Sequence, residues 1–235
     1  MDLKTAKALV TGGSSGIGYA TAQLLRDRGA EVAICGRRAD ALDEAASELG
    51  ALGIVCDVSR EEEVKRMVGR VIAELGGYNV LVNNAGWGRW APLIETTVDD
   101  FRRVWETNVL GAMLVARESA RHFVAKNTGN IVNIASTSGQ RGGPGGSAYV
   151  STKFALSGMT ECWRAELRKN NIRVMQVNPS EVQTNFFVSS GRAARAANSS
   201  KLQSSDIAHA IVSMLELDDR GMVTEATVWA ANPKD

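Results

Sequence analysis

Histidine and cysteine are scarce in this sequence of 235 residues. The two histidines, His122 and His209, have no partners at metal-ligand spacing, so we expect no metal site. The three cysteines, Cys35, Cys56 and Cys162, are odd in number and far apart, which favours free thiols in a reducing compartment. These scarcities argue against a metalloenzyme and against a disulfide-linked extracellular domain.

The sequence also lacks an excess of either charge and any long apolar run. It has 27 basic and 26 acidic side chains, for a net charge of +1. A nucleic-acid surface needs a clustered basic excess, so we expect no nucleic-acid partner. No apolar stretch is long enough to span a membrane, and the first residues lack the apolar core of a signal peptide. We therefore expect a cytoplasmic protein without membrane association.

What the sequence does have is an alternation of short apolar runs with longer amphipathic segments. The apolar runs are nearly continuous, as strands covered on both faces are, and predict strands at 7–12, 31–35, 52–58, 79–86, 130–136, 173–179 and 222–230. The segments between them predict helices at 17–28, 39–49, 61–75, 98–126, 149–169 and 205–217. This order predicts one α/β domain over residues 1–235, with a mostly parallel seven-stranded sheet and helices on both faces.

A glycine-rich segment, TGGSSGIG at residues 11–18, follows the first predicted strand. Its glycines, Gly12, Gly16 and Gly18, would let the backbone approach a pyrophosphate, and the helix that starts near Ile17 would present its free N–H groups. Any tight strand-to-helix turn favours glycine, so the motif alone is also compatible with a structural role. The strand before it and the helix after it favour phosphate binding.

The end of the second predicted strand bears on the choice of cofactor. An acidic residue there would bind the 2′-hydroxyl of NAD, whereas an arginine would accept the 2′-phosphate of NADP. The sequence has Gly36 at this place, followed by Arg37 and Arg38, with Asp40 nearby. Guanidinium groups form strong bidentate bonds with phosphate, so we expect NADP(H) to be favoured over NAD(H).

Further motifs follow in order along the chain: NNAG at 83–86, Asn108, Ser136, Tyr149 with Lys153, and NPS at 178–180. Together with the glycine segment they resemble the short-chain dehydrogenase/reductase family, and in particular NADP-dependent carbonyl and 3-oxoacyl reductases. The resemblance runs from residue 5 to about residue 185. It implies a doubly wound Rossmann fold, a nicotinamide cofactor, and hydride transfer between that cofactor and a carbonyl or alcohol.

The resemblance implies catalytic roles for four residues. Tyr149 would be the general acid in reduction, and Lys153 would hold the nicotinamide ribose and lower the pKa of the tyrosine. Ser136 would bond the substrate oxygen, and Asn108 would hold a water in a proton relay. A helix places Tyr149 and Lys153 on one face, because they are four residues apart. Either of these residues alone would be unremarkable on a helix, so the assignment depends on the whole set.

The resemblance also implies the cofactor contacts. Besides Arg37, Arg38, Tyr149 and Lys153, they are Gly12, Ser14, Ser15, Gly16, Ile17, Gly18, Asp57, Val58, Asn84, Ala85, Gly86, Pro179, Val182 and Thr184. The chain departs from the family at Ser180, where many members have glycine, and it lacks the glycine-rich tail that many members carry at a subunit interface.

Aromatic and polar residues that follow predicted strand ends are candidates for the substrate pocket: Trp87, Trp90, Gln140, Arg141, Phe186 and Phe187. Such a pocket suits an apolar or ring-bearing substrate. The segment at about 183–203 is expected to form a lid. The helices at 98–126 and 149–169 are apolar on more than one face, which predicts a homodimer or homotetramer.

Three functions stay open at this point. The first is an NADP-dependent oxidoreductase acting on a carbonyl or secondary alcohol, with 3-oxoacyl thioesters, sugars, steroids, pterins and small ketones as competing substrates. The second is a catalytically silent NADP-binding regulatory protein. The third is a dehydratase or epimerase on the same scaffold. The set of Asn108, Ser136, Tyr149 and Lys153 favours the first, because a binding protein has no need of the phenol.

Overall fold

The computed structural model describes residues 1–191, 196 and 198–232. Seven strands form one sheet in the order β3-β2-β1-β4-β5-β6-β7, and every pair of neighbours is parallel. The strands are β1 Lys7–Thr11, β2 Glu31–Gly36, β3 Leu52–Val55, β4 Val80–Asn83, β5 Gly129–Ile134, β6 Ile172–Pro179 and β7 Glu225–Val228. The strand order reverses between β1 and β4, which is the point where doubly wound sheets open a crevice for ligands.

Helices cover both faces of the sheet. They are α1 Gly16–Asp27, α2 Ala39–Leu49, α3 Glu61–Leu75, α4 Val98–Trp105, α5 Ala112–Lys126, α6 Ser147–Leu167, α7 Phe186–Ser189 and α8 Ser204–Glu216. One hydrophobic cluster joins the sheet to α1, α2 and α8, and a second joins it to α3 and α5, with α6 packed at its edge. The doubly wound α/β fold predicted from the sequence is confirmed.

The central strands are rich in apolar residues because neither of their faces meets water, whereas the edge strands β3 and β7 are partly exposed. Every residue of β4, β5 and β6 is buried. The predicted strands at 52–58 and 79–86 are too long at their carboxyl ends, since β3 ends at Val55 and β4 at Asn83. The residues beyond those ends leave the sheet and line the cleft described below. The last strand is also shorter than predicted and covers only Glu225–Val228.

The helix predicted at 98–126 is interrupted. Its ends are confirmed, but a π-helical turn at Glu106–Gly111 separates α4 from α5. A π turn inserts an extra residue into a helix and redirects the side chains within it. Here Asn108 lies inside the turn, is buried, and bonds to groups on other elements rather than to its own helix.

The predicted lid at 183–203 is described in part. It contains the short helix α7 and a bridge between Val182 and Leu202. Residues 192–195 and 197 lie outside the described residues, so the lid stays a prediction.

In the described part of the chain, no helix is long and apolar enough to cross a membrane. The same residues contain no cluster of three or more metal-binding side chains.

Candidate active site

A cleft of about 680 Å³ lies along the carboxyl edge of the sheet. Its walls come mainly from the loops that follow the first six strands, with further residues from α6 and from the π-helical turn. The predicted site residues that line it are Gly12, Ser14, Ser15, Gly16, Ile17, Arg37, Arg38, Asp57, Val58, Asn84, Ala85, Gly86, Trp87, Trp90, Ser136, Tyr149, Lys153, Pro179, Val182, Thr184, Phe186 and Phe187. The structure therefore brings together, in one cleft, residues that are up to 175 positions apart in the sequence.

The glycine loop at one end of the cleft has a shape that requires glycine. Gly12 and Gly16 have φ angles of +65° and +56°, which L-residues with side chains rarely adopt. Gly18 does not line the cleft, but a Cβ atom there would lie 2.3 Å from the Gly12 carbonyl oxygen, so this glycine permits the close packing of α1 on the loop. Ser15 precedes α1 without a side-chain bond to it. The first amides of α1 are therefore available to a phosphate.

The loop after β4 is fastened to the glycine loop. The Thr11 hydroxyl accepts hydrogen bonds from the amides of Asn84 and Ala85, each at 2.9 Å. The Asn84 side chain donates to the carbonyl oxygens of Thr11 and Gly12. Asn84 therefore uses its side-chain donors to join the two loops that border the cleft.

Arg37 and Arg38 are exposed at the lip of the cleft beyond β2. A Cβ atom at Gly36 would lie 3.4 Å from the Ser14 hydroxyl oxygen, so the glycine keeps this corner open. Asp57 lies on the adjacent loop. Burial alone would raise the pKa of its carboxyl, but hydrogen bonds from Ser59 and the guanidinium of Arg37 bring the pKa below its ordinary value.

Tyr149 and Lys153 lie on α6, both with their side chains buried. The Nζ atom of Lys153 is 5.6 Å from the centre of the Tyr149 ring and donates to the carbonyl oxygen of Ile134 at 2.8 Å. Burial lowers the pKa of this ammonium to about 8. The amine is therefore poised to change its charge within a pH range in which enzymes work.

Ser136 faces the same space from the end of β5. It caps the 3₁₀ turn Thr137–Gly139, because its hydroxyl oxygen accepts the amide of Ser138 at 3.1 Å. Its own proton has a long contact of 3.5 Å to the carbonyl oxygen of Pro179. A substrate oxygen is a better acceptor than a carbonyl at that distance, so the hydroxyl is suited to donate into the cleft.

Asn108 lies behind the cleft wall rather than in it. Its Oδ1 accepts the Trp87 amide at 2.8 Å, and its Nδ2 donates to the Trp87 carbonyl at 2.8 Å and to the Thr152 hydroxyl at 3.0 Å. Both N–H bonds of the amide are thus used within the protein. These bonds do not test the predicted role of Asn108 in holding a water. They show that the Asn108 side chain holds the loop at Trp87 in place.

Aromatic rings surround the phenol. The ring centre of Trp90 lies 4.7 Å from that of Tyr149, and the ring of Phe186, from α7, lies 5.5 Å from Tyr149 and 6.0 Å from Trp90. The guanidinium of Arg103 stacks over the indole of Trp87 at 4.6 Å. The end of the cleft near Tyr149 is therefore rich in aromatic side chains, in contrast to the glycine-loop end.

Two predicted pocket residues lie elsewhere, so their assignment to the pocket is corrected. Gln140 donates to Glu225 at 2.9 Å and to Thr227 at 3.2 Å, and Arg141 stacks over the Trp229 ring at 5.1 Å. Neither lines the cleft. The turn that follows Ser136 directs the chain towards β7, where polar partners are available.

Cleft residues that the sequence reasoning missed include Thr107, Ser180, Glu181, Asn185 and Val188. They belong to the π turn and to the segments that follow β6. Only their nearness to Asn108 and Pro179 in the sequence could have indicated them, because their residue types carry no signal of their own.

The residues present fit a nicotinamide dinucleotide. The glycine loop offers backbone room and helix amides for a pyrophosphate, and Lys153 offers a buried amine beside the phenol. This combination, at the switch point of a parallel sheet, defines a class: oxidoreductases that act on alcohol and carbonyl groups with a nicotinamide cofactor.

Comparison with known sequences gives the family within that class. A family model described as short chain dehydrogenase matches residues 6–194, and the chain belongs to this family. It is 34% identical over 192 residues to an uncharacterised oxidoreductase of Bacillus subtilis, covering 78% of this chain and 54% of that protein. It is 36% identical over 179 residues to the 3-oxoacyl-(acyl-carrier-protein) reductase of Bos taurus, covering 75% and 76%. The match thus spans about half of the first relative's length and three quarters of the second's.

Solved structures agree over nearly the whole chain. An alcohol dehydrogenase from Thermococcus sibiricus, complexed with 5-hydroxy-NADP, superposes with a TM-score of 0.88 at 27% identity, covering 98% of this chain and 99% of that one. The 3-ketoacyl-(acyl-carrier-protein) reductase of Brucella melitensis, complexed with NADH, gives a TM-score of 0.88 at 27% identity, covering 97% and 98%.

Proposed function

We propose that the protein transfers a hydride between a nicotinamide cofactor and a carbonyl or secondary alcohol, with Tyr149 as the general acid in reduction and the general base in oxidation. The observation that carries this proposal is the position of Tyr149 and Lys153. They meet Ser136 in the same cleft as the glycine loop. Phosphate-binding groups and a proton donor thus lie at the two ends of one binding space.

The bound nicotinamide supplies the hydride in reduction and accepts it in oxidation. The protein's part is to hold the substrate oxygen and to move one proton. In reduction the Tyr149 hydroxyl gives its proton to the oxygen that gains negative charge, while the Ser136 hydroxyl donates a hydrogen bond to it. In oxidation the same two groups act in reverse, and Tyr149 takes the alcohol proton.

Lys153 makes the phenol usable as an acid. A free phenol has a pKa of about 10, so near neutral pH it holds its proton tightly. An ammonium close by favours the phenolate and lowers that pKa. Each unit of lowering corresponds to about 1.4 kcal/mol. A second contribution of the amine is binding, since one N–H bond is donated to the Ile134 carbonyl and the others are left for a ribose.

NADP(H) is the cofactor that this cleft favours. The support is Gly36 in the place of a ribose-binding acid, with two exposed guanidinium groups, those of Arg37 and Arg38, at the lip. The relatives named above were solved with an NADP derivative in one case and NADH in the other. The choice for this chain therefore rests on its own arginines.

An apolar, ring-bearing carbonyl compound is the substrate class that the rings favour. Trp90 and Phe186 pack against Tyr149, so a flat substrate with its oxygen at the phenol would contact aromatic faces. A 3-oxoacyl thioester is the second candidate, favoured by the similarity to the bovine reductase. A ketone screen that includes both kinds, read as NADPH absorbance, separates them.

A homodimer or homotetramer in the cytoplasm completes the proposal. Phe101, Leu110, Val124 and Phe154 are all at least 39% exposed and lie on α4, the π turn, α5 and α6. Large exposed apolar side chains on neighbouring helices favour a contact with a second subunit. Sedimentation of the purified protein tests this part independently of activity.

The experiment that tests the reaction is the change Tyr149→Phe, which removes only the hydroxyl. We expect kcat to fall at least a hundredfold, within the usual range for a lost general acid, while NADPH binding persists. Tyr19→Phe is the matched control, because the Tyr19 hydroxyl bonds Glu48 on an exposed surface. Unchanged turnover in Tyr149→Phe would contradict the mechanism.

The wild-type protein tests the alternative functions. If it binds NADPH but reduces no carbonyl, the result favours the catalytically silent regulatory protein. Turnover without net change in NADPH would favour a dehydratase or epimerase.

A further inference from the structure

We propose that Thr152 is a positioning residue for this reaction: its hydroxyl couples the turn of α6 that carries Tyr149 to Asn108, and through Asn108 to the cofactor-side loop at Trp87. The proposal rests on the proposed function. Thr152 lies between Tyr149 and Lys153 in the sequence, is completely buried and does not line the cleft. Its part is therefore to hold other groups in place.

The Thr152 hydroxyl has one proton, and that proton is committed. It is donated to the Tyr149 carbonyl oxygen at 2.6 Å. The same oxygen then acts as an acceptor and receives Nδ2 of Asn108 at 3.0 Å. Because the hydroxyl can only accept on the side facing Asn108, the nitrogen of that amide has to face Thr152.

This bond fixes the orientation of the Asn108 amide. With Nδ2 towards Thr152, Oδ1 faces the Trp87 amide and accepts it at 2.8 Å. The second proton of Nδ2 reaches the Trp87 carbonyl, also at 2.8 Å. A rotated amide would place its oxygen against the hydroxyl oxygen and its N–H group against the Trp87 N–H. Thr152 and Asn108 are buried and the bonds to Trp87 are partly buried, so water does not fully replace this set of bonds.

The segment held in this way borders the reacting groups. Gly86 precedes Trp87, and a Cβ atom at Gly86 would lie 3.4 Å from Asn108 Oδ1 and 3.8 Å from Lys153 Nζ. A displacement of the loop at Gly86 and Trp87 would therefore change its distance from the amine and from the space in front of Tyr149. Thr152 thus sets the register between the cofactor side of the cleft and the proton donor.

A threonine hydroxyl that bonds back to its own helix is common and can be purely structural. The same helix supplies the comparison. Thr160 is also buried, donates to the Leu156 carbonyl oxygen at 2.7 Å, and accepts Nδ2 of Asn133 at 2.8 Å. Its bonds match those of Thr152 in kind, but it lies two turns further along α6 and away from the cleft. Thr160→Val therefore reproduces the structural loss without the coupling.

The test compares Thr152→Val with Thr160→Val and with Thr152→Ser, which restores the hydroxyl. We expect both valine variants to lower Tm, but only Thr152→Val to lower kcat. The loss should be at least tenfold, as misplacement of reacting groups by about 1 Å can cost a hundredfold, with KM for the carbonyl substrate changed less than threefold. Thr152→Ser should recover most of kcat. Equal kcat losses in the two valine variants, or no recovery in Thr152→Ser, would overturn the proposal.

A second measurement does not depend on turnover. Hydrogen exchange of the Trp87 amide, which Asn108 Oδ1 accepts, should accelerate at least tenfold in Thr152→Val and stay unchanged in Thr160→Val. Unchanged exchange in Thr152→Val would contradict the route through Asn108, whatever the kinetics show. An inactive wild-type protein would refute the proposed function, and the exchange comparison would still decide the coupling. If Thr152→Val fails to fold, Thr152→Ala and Thr160→Ala take the places of the valine variants.

Discussion

The Nζ atom of Lys153 lies 5.6 Å from the centre of the Tyr149 ring and donates its hydrogen bond to a neutral group, the Ile134 carbonyl. Burial is the cause of its lowered pKa, of about 8, with no compensating charge among the described residues. An uncompensated amine in the interior costs folding free energy, and it places a positive potential beside the phenol. The stability and the chemistry of this site are therefore linked through one proton.

The lowered pKa of Lys153 predicts how the free energy of unfolding depends on pH. The folded pKa of Lys153, about 8, lies below the unfolded value of about 10.4, so the unfolded state binds more protons between these pH values. The destabilisation is present in full below pH 8 and disappears as the pH rises to about 10.4. We expect the free energy of unfolding of the cofactor-free protein, relative to Lys153→Met, to rise by about 3 kcal/mol over this window.

Urea unfolding of both proteins from pH 7 to pH 10 measures this difference. Lys126→Met is the control, because Lys126 is exposed at the end of α5 and its removal leaves no buried site behind. A wild-type curve that runs parallel to that of Lys153→Met would contradict a buried amine with a lowered pKa.

The glycine loop yields a second prediction. Gly18→Ala would place a Cβ atom 2.3 Å from the Gly12 carbonyl oxygen and 2.6 Å from the Asn84 side chain, so the loop has to open. We expect NADPH affinity to fall at least tenfold, which is about 1.4 kcal/mol, along with a lower Tm. Gly69→Ala on α3 is the matched control, since nothing lies within 4 Å of the added atom. That change should stabilise the protein by about 0.5–1 kcal/mol. Equal NADPH affinities in the two variants would count against the phosphate-binding role of the loop.

Cofactor choice supplies a third prediction. Arg37→Ala removes a guanidinium from the lip of the cleft, where the 2′-phosphate of NADP would lie in our proposal. We expect the Kd of NADPH to rise about tenfold or more, in line with a charge-assisted bond of 1.5–3 kcal/mol, while the Kd of NADH stays within twofold. Arg70→Ala is the control, because Arg70 on α3 is also exposed and does not line the cleft. Fluorescence titration with both nucleotides gives the values. Equal losses for NADPH and NADH would show that Arg37 does not read the 2′-phosphate.

The elements that could be predicted from the sequence are those whose signal is local. The buried strands appear as continuous apolar runs, so β1, β2 and β6 agree with the sequence to within a residue at each end, and β5 to within two. The predicted ends of β3 and β4 lie too far along the chain, because apolar side chains such as Val58 and Ala85 continue after the strands have ended. A sequence pattern does not show where hydrogen bonding to the neighbouring strand stops.

The parts that could not be predicted depend on partners far away in the chain. Thr152 and Asn108 form a hydrogen bond although they are 44 positions apart, and neither residue type indicates that contact. The π turn around Asn108 has the composition of an ordinary helix. The position of Gln140 after a strand end predicts a place in the pocket. Its side chain instead donates a hydrogen bond to Glu225 on β7, 85 positions later in the sequence. Such contacts arise only when the fold brings the elements together.

The ring of Trp90 gives the last prediction, on substrate class. It lies 4.7 Å from the ring of Tyr149 and would form one wall for a flat substrate. Aromatic contacts are worth about 0.5–1.5 kcal/mol beyond buried area. We therefore expect Trp90→Leu to lower kcat/KM for an aryl ketone about three- to tenfold, and to leave an aliphatic ketone of equal carbon number within twofold. Trp229→Leu is the control, since Trp229 is half exposed beside Arg141 and outside the cleft. Equal losses for both ketones in Trp90→Leu would mean that the indole supports Tyr149 itself and does not select the ring of the substrate.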